Sequence, residues 1–507
     1  MMRVRYRRSR LSTCGETAAS ICGMSFPRLL FTAALLVAAP ALAKPPPLDQ
    51  RVAEVLASAP AGTRFGVLVV TADGREVLAI HPDQRFVPAS NTKLFTTAAA
   101  YALLGPLDQP DRASGTGVAL ERGRSGRFDV VLTGFGDARL SSTADCVSDC
   151  LAVLADAVAA KTRQVGDVIG DDRWFPDERW SPGMSWNNIG TESGTGISAL
   201  SLDDNALPIT VTPTRPGQPP LVEFPAYLML INAAVTSAEG KNTLAIQREV
   251  NGGAVRLVGT IPRGGGVWQD RLGIDDPAHY AAATLRRMLA ARGVKLRGTV
   301  KVRHRPRAPG DDPLQRASLP VTAAAHGPFL ARLTPDPLSA DITIINKLSQ
   351  NLHAELLLRR IGRLAGTGSL ADGTAALRGV AERAGAIRAG NDFADGSGMS
   401  NYNRISPRAA VSLLRWAQPE PWGAVWRASL PVGGTDGTLR RRFAGTALEG
   451  KIFAKTGTLN ATAALSGYLI GASGHELTFS LLANDVPDGG TTTEAMDAAL
   501  LLIAGAN

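Results

Sequence analysis

Apolar residues recur along this chain in two rhythms. Residues 65–71 (FGVLVVT) and 76–80 are short runs rich in β-branched residues, divided by the turn Ala72-Asp73-Gly74, which predicts a strand hairpin. Residues 91–104 are apolar on nearly all sides and stop at Gly105-Pro106, the pattern of a buried helix. From about 107 to 325 the texture becomes short strand-like runs between Gly/Pro turns, at 130–136, 168–170, 209–213 and 254–262. Helical patterns at 150–161 and 277–292 interrupt it. Helical spacing returns from Thr343, through 352–361 and 371–384. Strand-like runs near 452–455, 464–470 and 477–483 then precede a helix over 493–504. Consecutive strands on short turns followed by a helix predict an antiparallel sheet covered by helices. The expected fold is α/β in the α+β sense: one domain split between 44–106 and 326–507, with 107–325 inserted as one or two mostly β domains.

Composition adjusts this picture in three places. At 507 residues, a prior of ~150 residues per domain suggests about three. With 45% hydrophobic and 20% charged residues the chain is globular, not disordered. Upstream of Lys44, Arg28 is followed by an apolar run ending in Ala41-Leu42-Ala43, which predicts a signal peptide and a leader over 1–43. Pro40 and the small-residue site argue against a membrane anchor, so the expected mature protein is periplasmic without an integral span. Arg3, Arg5, Arg7, Arg8 and Arg10 are not required by such a leader, and Met24 reads as the better start. The formal charge of +9 falls to +4 once the leader's six Arg and one Glu are removed. That balance disfavours a nucleic-acid partner. Of the four cysteines, Cys146 and Cys150 lie beyond the leader, a small disulfide or a buried thiol pair; six scattered histidines supply no metal-ligand spacing.

Ser90-Asn91-Thr92-Lys93 puts a hydroxyl and an amine three positions apart, on one face of a helical turn. Leu94, Phe95, Ala98 and Ala99 surround Lys93 with apolar positions and no obvious compensating charge, which lowers an amine's pKa. A neutral amine beside a hydroxyl is an activated nucleophile. Lys455-Thr456-Gly457-Thr458 falls on a predicted strand, where the amine suits a carboxylate, the hydroxyls hydrogen-bond, and the glycine admits a backbone alongside. Ser349-Gln350-Asn351 precedes a helix, and spacing of two on extended chain directs a relaying hydroxyl and an orienting amide one way. Ser185-Trp186-Asn187 is a rival S-x-N.

The ordered set Ser90-x-x-Lys93, Ser349-x-Asn351 and Lys455-Thr456-Gly457 resembles the triplet of penicillin-recognising serine enzymes. Nine lysines give one S-x-x-K and one K-T-G, in that order. Further runs resemble the D-alanyl-D-alanine carboxypeptidase/endopeptidase family, the low-molecular-mass class C penicillin-binding proteins: Thr133-Gly134-Phe135-Gly136-Asp137, Ser201-Leu202-Asp203-Asp204-Asn205, Ile345-Asn346-Lys347 leading to Ala354-Glu355, Asp395-Gly396-Ser397-Gly398-Met399-Ser400 and Asp436-Gly437-Thr438-Leu439. The resemblance implies a split transpeptidase-type domain, peptidoglycan peptides as substrate, acylation by β-lactams, and no metal or organic cofactor. It makes Ser90 the nucleophile, Lys93 its base, Ser349 the relay, Asn351 an amide contact and Lys455 the carboxylate anchor, with Thr456, Gly457 and Thr458 on the binding strand. The N–H groups of Ser90 and Thr458 become the oxyanion hole, and Asp137 a partner for a substrate amine. Two rivals share the fold: a class A-like β-lactamase, for which Glu355, Glu382, Glu420 and Glu449 lack the expected setting, and a wall-binding scaffold without turnover.

Overall fold

In the computed structural model, which describes residues 46–123, 126–248, 252–316 and 326–507, one antiparallel sheet is built from both ends of the described chain. Its strands run in the order Glu76–Ile80, Arg64–Thr71, Glu476–Asn484, Thr462–Ile470, Ile452–Leu459. The expected hairpin pairs Val69 with Leu78, and Arg64–Thr71 then pairs along its whole length with Glu476–Asn484. Because side chains alternate across a strand, the two faces take different partners. Val67, Val69, Leu465, Leu469 and Phe479 pack with Val52 and Leu56 of the helix Leu48–Leu56 and with Met496, Leu500 and Ile503 of the helix Thr493–Gly505. Leu68 and Val70 turn the other way, onto Val411 of the helix Pro407–Ala417.

Beyond that second face lies a helical core. Leu94, Phe95, Ala98 and Ala99 of the helix Thr92–Leu103 pack with Ile342 and Ile345 of Leu338–Leu348, Leu357 and Leu358 of Asn351–Gly362, and Leu377 and Val380 of Leu370–Arg383. Thr92–Leu103 is the innermost helix, which is why its sequence shows no polar side. The predicted helix begins one residue later than expected, after the short 3-10 turn Ala89–Asn91.

The segment expected to be mostly β is more mixed. Phe128–Thr133 and Val168–Asp171 are parallel neighbours joined through the helix Leu151–Lys161, and Val300–Arg303 adds a third parallel strand. Gly117–Arg122 and Ala331–Arg332 complete this five-stranded sheet, so the chain just after residue 326 still belongs to it. The helices Leu151–Lys161 and Pro277–Ala291 cover it through Leu154, Val158, Leu285 and Leu289. A smaller core around Val211, Val255, Leu257 and Ile261 joins two three-stranded sheets. The run 254–262 is two strands, Ala254–Val258 and Thr260–Pro262, broken at Gly259, whose φ of 94° lies in the left-handed region. Cys146 and Cys150 are disulfide-bonded. The predicted leader, with its arginines and its own cysteines, lies outside the described residues.

Candidate active site

Ser90 sits in a turn held on three sides. Ala89 before it has φ 47°, an uncommon conformation for a residue with a Cβ, and is fully buried. Asn91 after it donates from Nδ2 to the Lys455 carbonyl at 2.9 Å, tying the turn to the strand Ile452–Leu459. Gly398, at φ 86°, passes so near that a Cβ there would stand 1.9 Å from the Ala89 oxygen. A Cβ on Gly457 would stand 2.7 Å from the Pro88 oxygen and 3.1 Å from Ser90 N. Both glycines therefore let main chain crowd against the serine turn. The glycine of the K-T-G run serves the protein's own backbone here, a role its sequence setting did not suggest.

Lys93 follows one turn later and is 0% exposed. Its Nζ donates to Ser90 Oγ at 2.9 Å, to Asn351 Oδ1 at 2.6 Å and to the Ser397 carbonyl at 2.6 Å. Burial lowers its pKa to about 7, against the opposing pull of Asp395 and Glu355. These two carboxylates are the compensation that the local sequence around Lys93 does not display. Glu355 is one helical turn beyond Asn351, and its Oε1 accepts from Gly396 N at 2.9 Å and Ser397 N at 2.8 Å. Burial first, then Asp395, raises its pKa to about 7. Asp395 is also raised, by burial, although Asn403 Nδ2 and the Gly398 and Ser400 N–H groups donate to it.

The S-x-N run adopts a different local form from the extended one expected. Ser349 closes the helix Leu338–Leu348 in the left-handed region at φ 63°, and Asn351 is already the first residue of the next helix. Gln350, not Ser349, caps that helix, accepting from Leu352 N at 2.8 Å. Both flanking side chains still converge on the site: Lys455 Nζ donates to Ser349 Oγ at 2.9 Å, and Asn351 Oδ1 accepts from Lys93. Lys455 Nζ also reaches the Thr456 carbonyl at 3.0 Å. Burial, and Lys93 beside it, hold the Lys455 amine well below its usual range. Thr456 Oγ1 shares a 2.7 Å hydrogen bond with Thr438 Oγ1, while Thr458 is exposed on the edge strand of the sheet.

Asp137 is placed apart from this convergence. It is 3% exposed, its Oδ1 accepts from Arg139 N at 2.9 Å, and burial followed by Asp149 raises its pKa to about 8. A buried carboxyl in that state offers little charge to a substrate amine. The cavity of about 580 Å³ that adjoins Ser349 and Asn351 is lined instead by Arg139, Asp203, Asp204 and His353. The Ser-Leu-Asp-Asp-Asn run forms a turn of three left-handed residues, Asp203, Asp204 and Asn205, and presents Asp204 to His353 Nε2 at 2.9 Å. His353 Nδ1 lies 2.7 Å from Asp341 Oδ1. Against burial, the two carboxylates push His353 up to about 10. Lys347 pairs with Asp436 at 2.6 Å, so two more of the quoted runs are joined to each other. Among the described residues, no group of three or more His, Cys, Asp or Glu is arranged to hold a metal, and no helix is long and apolar enough to cross a membrane.

A serine hydroxyl that accepts a hydrogen bond from a buried lysine amine thus lies between a helical core and the edge of an antiparallel sheet. Residues 48–502 match the model of the D-Ala-D-Ala carboxypeptidase 3 (S13) family, and the chain belongs to that family. It is 35% identical over 444 residues to a D-alanyl-D-alanine carboxypeptidase of Actinomadura sp. (strain R39), covering 83% of this chain and 78% of the relative. It is 23% identical over 462 residues to the D-alanyl-D-alanine carboxypeptidase DacB of Haemophilus influenzae, covering 89% and 91%. The crystal structure of penicillin binding protein 4 (dacB) from Haemophilus influenzae shares the fold, with a TM-score of 0.73 at 20% identity over 89% of this chain and 97% of that one.

Proposed function

We propose that this carboxypeptidase removes the terminal D-Ala of peptidoglycan stem peptides through an acyl-serine at Ser90, with Lys93 as general base. The observation that carries the reading is the 2.9 Å contact between Lys93 Nζ and Ser90 Oγ, with the amine buried and its pKa brought to about 7. A neutral Lys93 accepts the Ser90 proton as Oγ attacks the carbonyl carbon of the penultimate D-Ala. The oxyanion is received by the N–H groups of Ser90 and Thr458, the C–N bond breaks, and a proton passes to the leaving amine from Lys93 by way of the Ser349 hydroxyl. Water then hydrolyses the ester and regenerates Ser90. Lys455 meets the substrate carboxylate; an incoming anion restores the ammonium form that burial disfavours. Asn351 orients the stem peptide, which lies extended along the edge strand at Thr456 to Thr458. The same attack on a D-Ala–diaminopimelate bond makes the enzyme an endopeptidase for crosslinks. A β-lactam carbonyl takes the place of the scissile one, and the enzyme works in the periplasm after export.

The test is covalent labelling. Penicillin is expected to leave one adduct, on the peptide carrying Ser90, and Ser90→Ala to abolish both the adduct and D-Ala release from a D-Ala-D-Ala peptide. An adduct mapped to Ser397 or Ser349 would sink the assignment.

A further inference from the structure

The rival Ser185-Trp186-Asn187 run does not enter the serine site. It stands at a second cavity, of about 690 Å³, lined by Trp186, Asn187, Gln247, Arg248, Arg256 and Asp270. We propose that this cavity is a glycan subsite, which takes the β-linked, N-acetylated amino-sugar strand to which the stem peptide is attached; this rests on the reading of the serine site given above. Trp186 is 74% exposed, which leaves its indole face open at the cavity. The indole face is electron-rich, and the C–H face of a pyranose packs against it. Around it stand amides and guanidinium groups that suit hydroxyl and acetamido groups: Asn187, whose Oδ1 accepts from Ser185 Oγ at 2.6 Å, then Gln247 and Arg256. Arg248, with a side chain 5% exposed, has a buried Nε without a hydrogen-bond partner, while its Nη2 pairs with Asp275 at 2.9 Å. Charge on the wall nearly cancels, since Arg271 pairs with Glu192 at 3.0 Å, Arg248 pairs with Asp275, and Asp270 lies on the same wall as Arg256. A neutral polar wall with one bare aromatic suits a sugar strand rather than a polyanion. The volume falls within the ~300–1,000 Å³ of ligand pockets.

Position supports the same occupant. Arg271 lines both this cavity and the one beside Ser349 and Asn351. The segment that begins with Trp186 also reaches the serine site, where the Ser193 carbonyl accepts from Asn351 Nδ2 at 3.0 Å. The two cavities are thus neighbours, as a sugar strand carrying its stem peptide requires.

The experiment uses the full-length protein and two probes, a peptide-free N-acetylglucosamine–N-acetylmuramic acid tetrasaccharide and a free D-Ala-D-Ala pentapeptide. Calorimetry is expected to show tetrasaccharide binding that Trp186→Ala weakens by about tenfold and Arg256→Ala by less. Hydrolysis of the free pentapeptide is expected to stay within about twofold of wild type in Trp186→Ala, while kcat/KM for the same peptide on a glycan strand falls about tenfold. The proposal is overturned if the wild type does not bind the tetrasaccharide, if Trp186→Ala lowers free and glycan-linked hydrolysis equally, or if the free pentapeptide binds in a Trp186-dependent way. Absence of hydrolysis in the wild type would sink the serine-site reading, and tetrasaccharide binding would still decide the cavity.

Discussion

Lys93 is placed between two opposing effects, and their balance is open to measurement. Burial drives the amine toward its neutral form, while Asp395 and Glu355 favour the ammonium, and the outcome is a pKa of about 7. A base in that range gains activity as pH rises, so the rate of penicillin acylation is expected to climb through about pH 7. Glu355→Gln removes one of the two supporting charges while an amide oxygen still accepts from the 396–397 main chain. The rising limb should therefore move to lower pH, measured as the second-order acylation constant between pH 5 and 9; an unmoved or higher limb would show that Glu355 does not act on Lys93. Glu355 also bears on the β-lactamase rival. It lies near Lys93, yet its Oε1 accepts from Gly396 and Ser397, and among the described residues no hydrogen bond joins it to Ser90. Ser90, Lys93 and Lys455 were legible as motifs because the S-x-x-K and K-T-G runs are each compact in sequence. Glu355 and Asp395 were quoted in the family-like runs without a role, because what they do depends on contacts far along the chain: Glu355 to Ser397 spans 42 positions and Lys93 to Ser397 spans 304.

Secondary-structure elements matter here mainly where they end. Two helices joined by Ser349 and Gln350 place a hydroxyl and an amide at one junction, and extended chain was the wrong local form because Ser349 in the left-handed region turns the backbone within two residues. The three inner strands of the main sheet were legible from their runs, since burial on both faces leaves them largely apolar. Gly398, the second glycine of the 395–400 run, was legible only as a motif, its reason being the Ala89 carbonyl 1.9 Å from where a Cβ would stand. Gly398→Ala is therefore expected to displace the Ala89–Ser90 turn and to lower penicillin acylation by about 100-fold or more, since an ~1 Å misplacement of a reacting group costs that much. Acylation within a few fold of wild type would show that the turn yields freely. The other element-level device is the clamp Asp204–His353–Asp341, which fastens the 203–205 turn to the helix that carries Asn351. His353 has a folded pKa of about 10, above the ordinary 6.5, so its stabilisation is complete below about pH 6.5 and is lost as pH rises toward 10. His353→Gln leaves Asp341 buried without its cation and is expected to cost ~3–5 kcal/mol at pH 6, with Asp204 adding less because water screens it. Urea unfolding at pH 6 and pH 9.5 checks both the size and the sign, since the mutant should lose the fall in stability that the wild type shows between them.

At the scale of the whole molecule, the chain carries separate apolar cores whose boundary passes close to the serine. One helical core and one sheet core draw on residues up to Leu107 and from Leu338 on, whereas the Val118 to Leu333 cluster and the smaller Ile209 to Leu272 cluster lie between. We take this division as support for an inserted domain within a split one, with its second boundary nearer residue 333 than 326. Composition alone blurred that edge, because the two-residue strand Ala331–Arg332 is too short to register as a strand run. What fastens the parts together is a fifth cluster, in which Ala138, Phe175 and Ala199 from one side meet Leu352 and Leu356 from the other. Phe175 is its largest member, and Leu352 directly follows Asn351, so packing here fixes the height of the helix that holds the Lys93 contact. This packing couples the cores, and the wild type is accordingly expected to unfold in a single calorimetric transition despite its several parts. Phe175→Ala empties the junction at a cost of ~3–5 kcal/mol. Because that loss falls on the contact between cores and not within either, it should separate the transition into two and lower acylation at Ser90 together with the first. A single transition merely shifted to lower temperature would show that the cores are coupled through other contacts, such as the Asp204–His353 pair and Arg359 with Glu178.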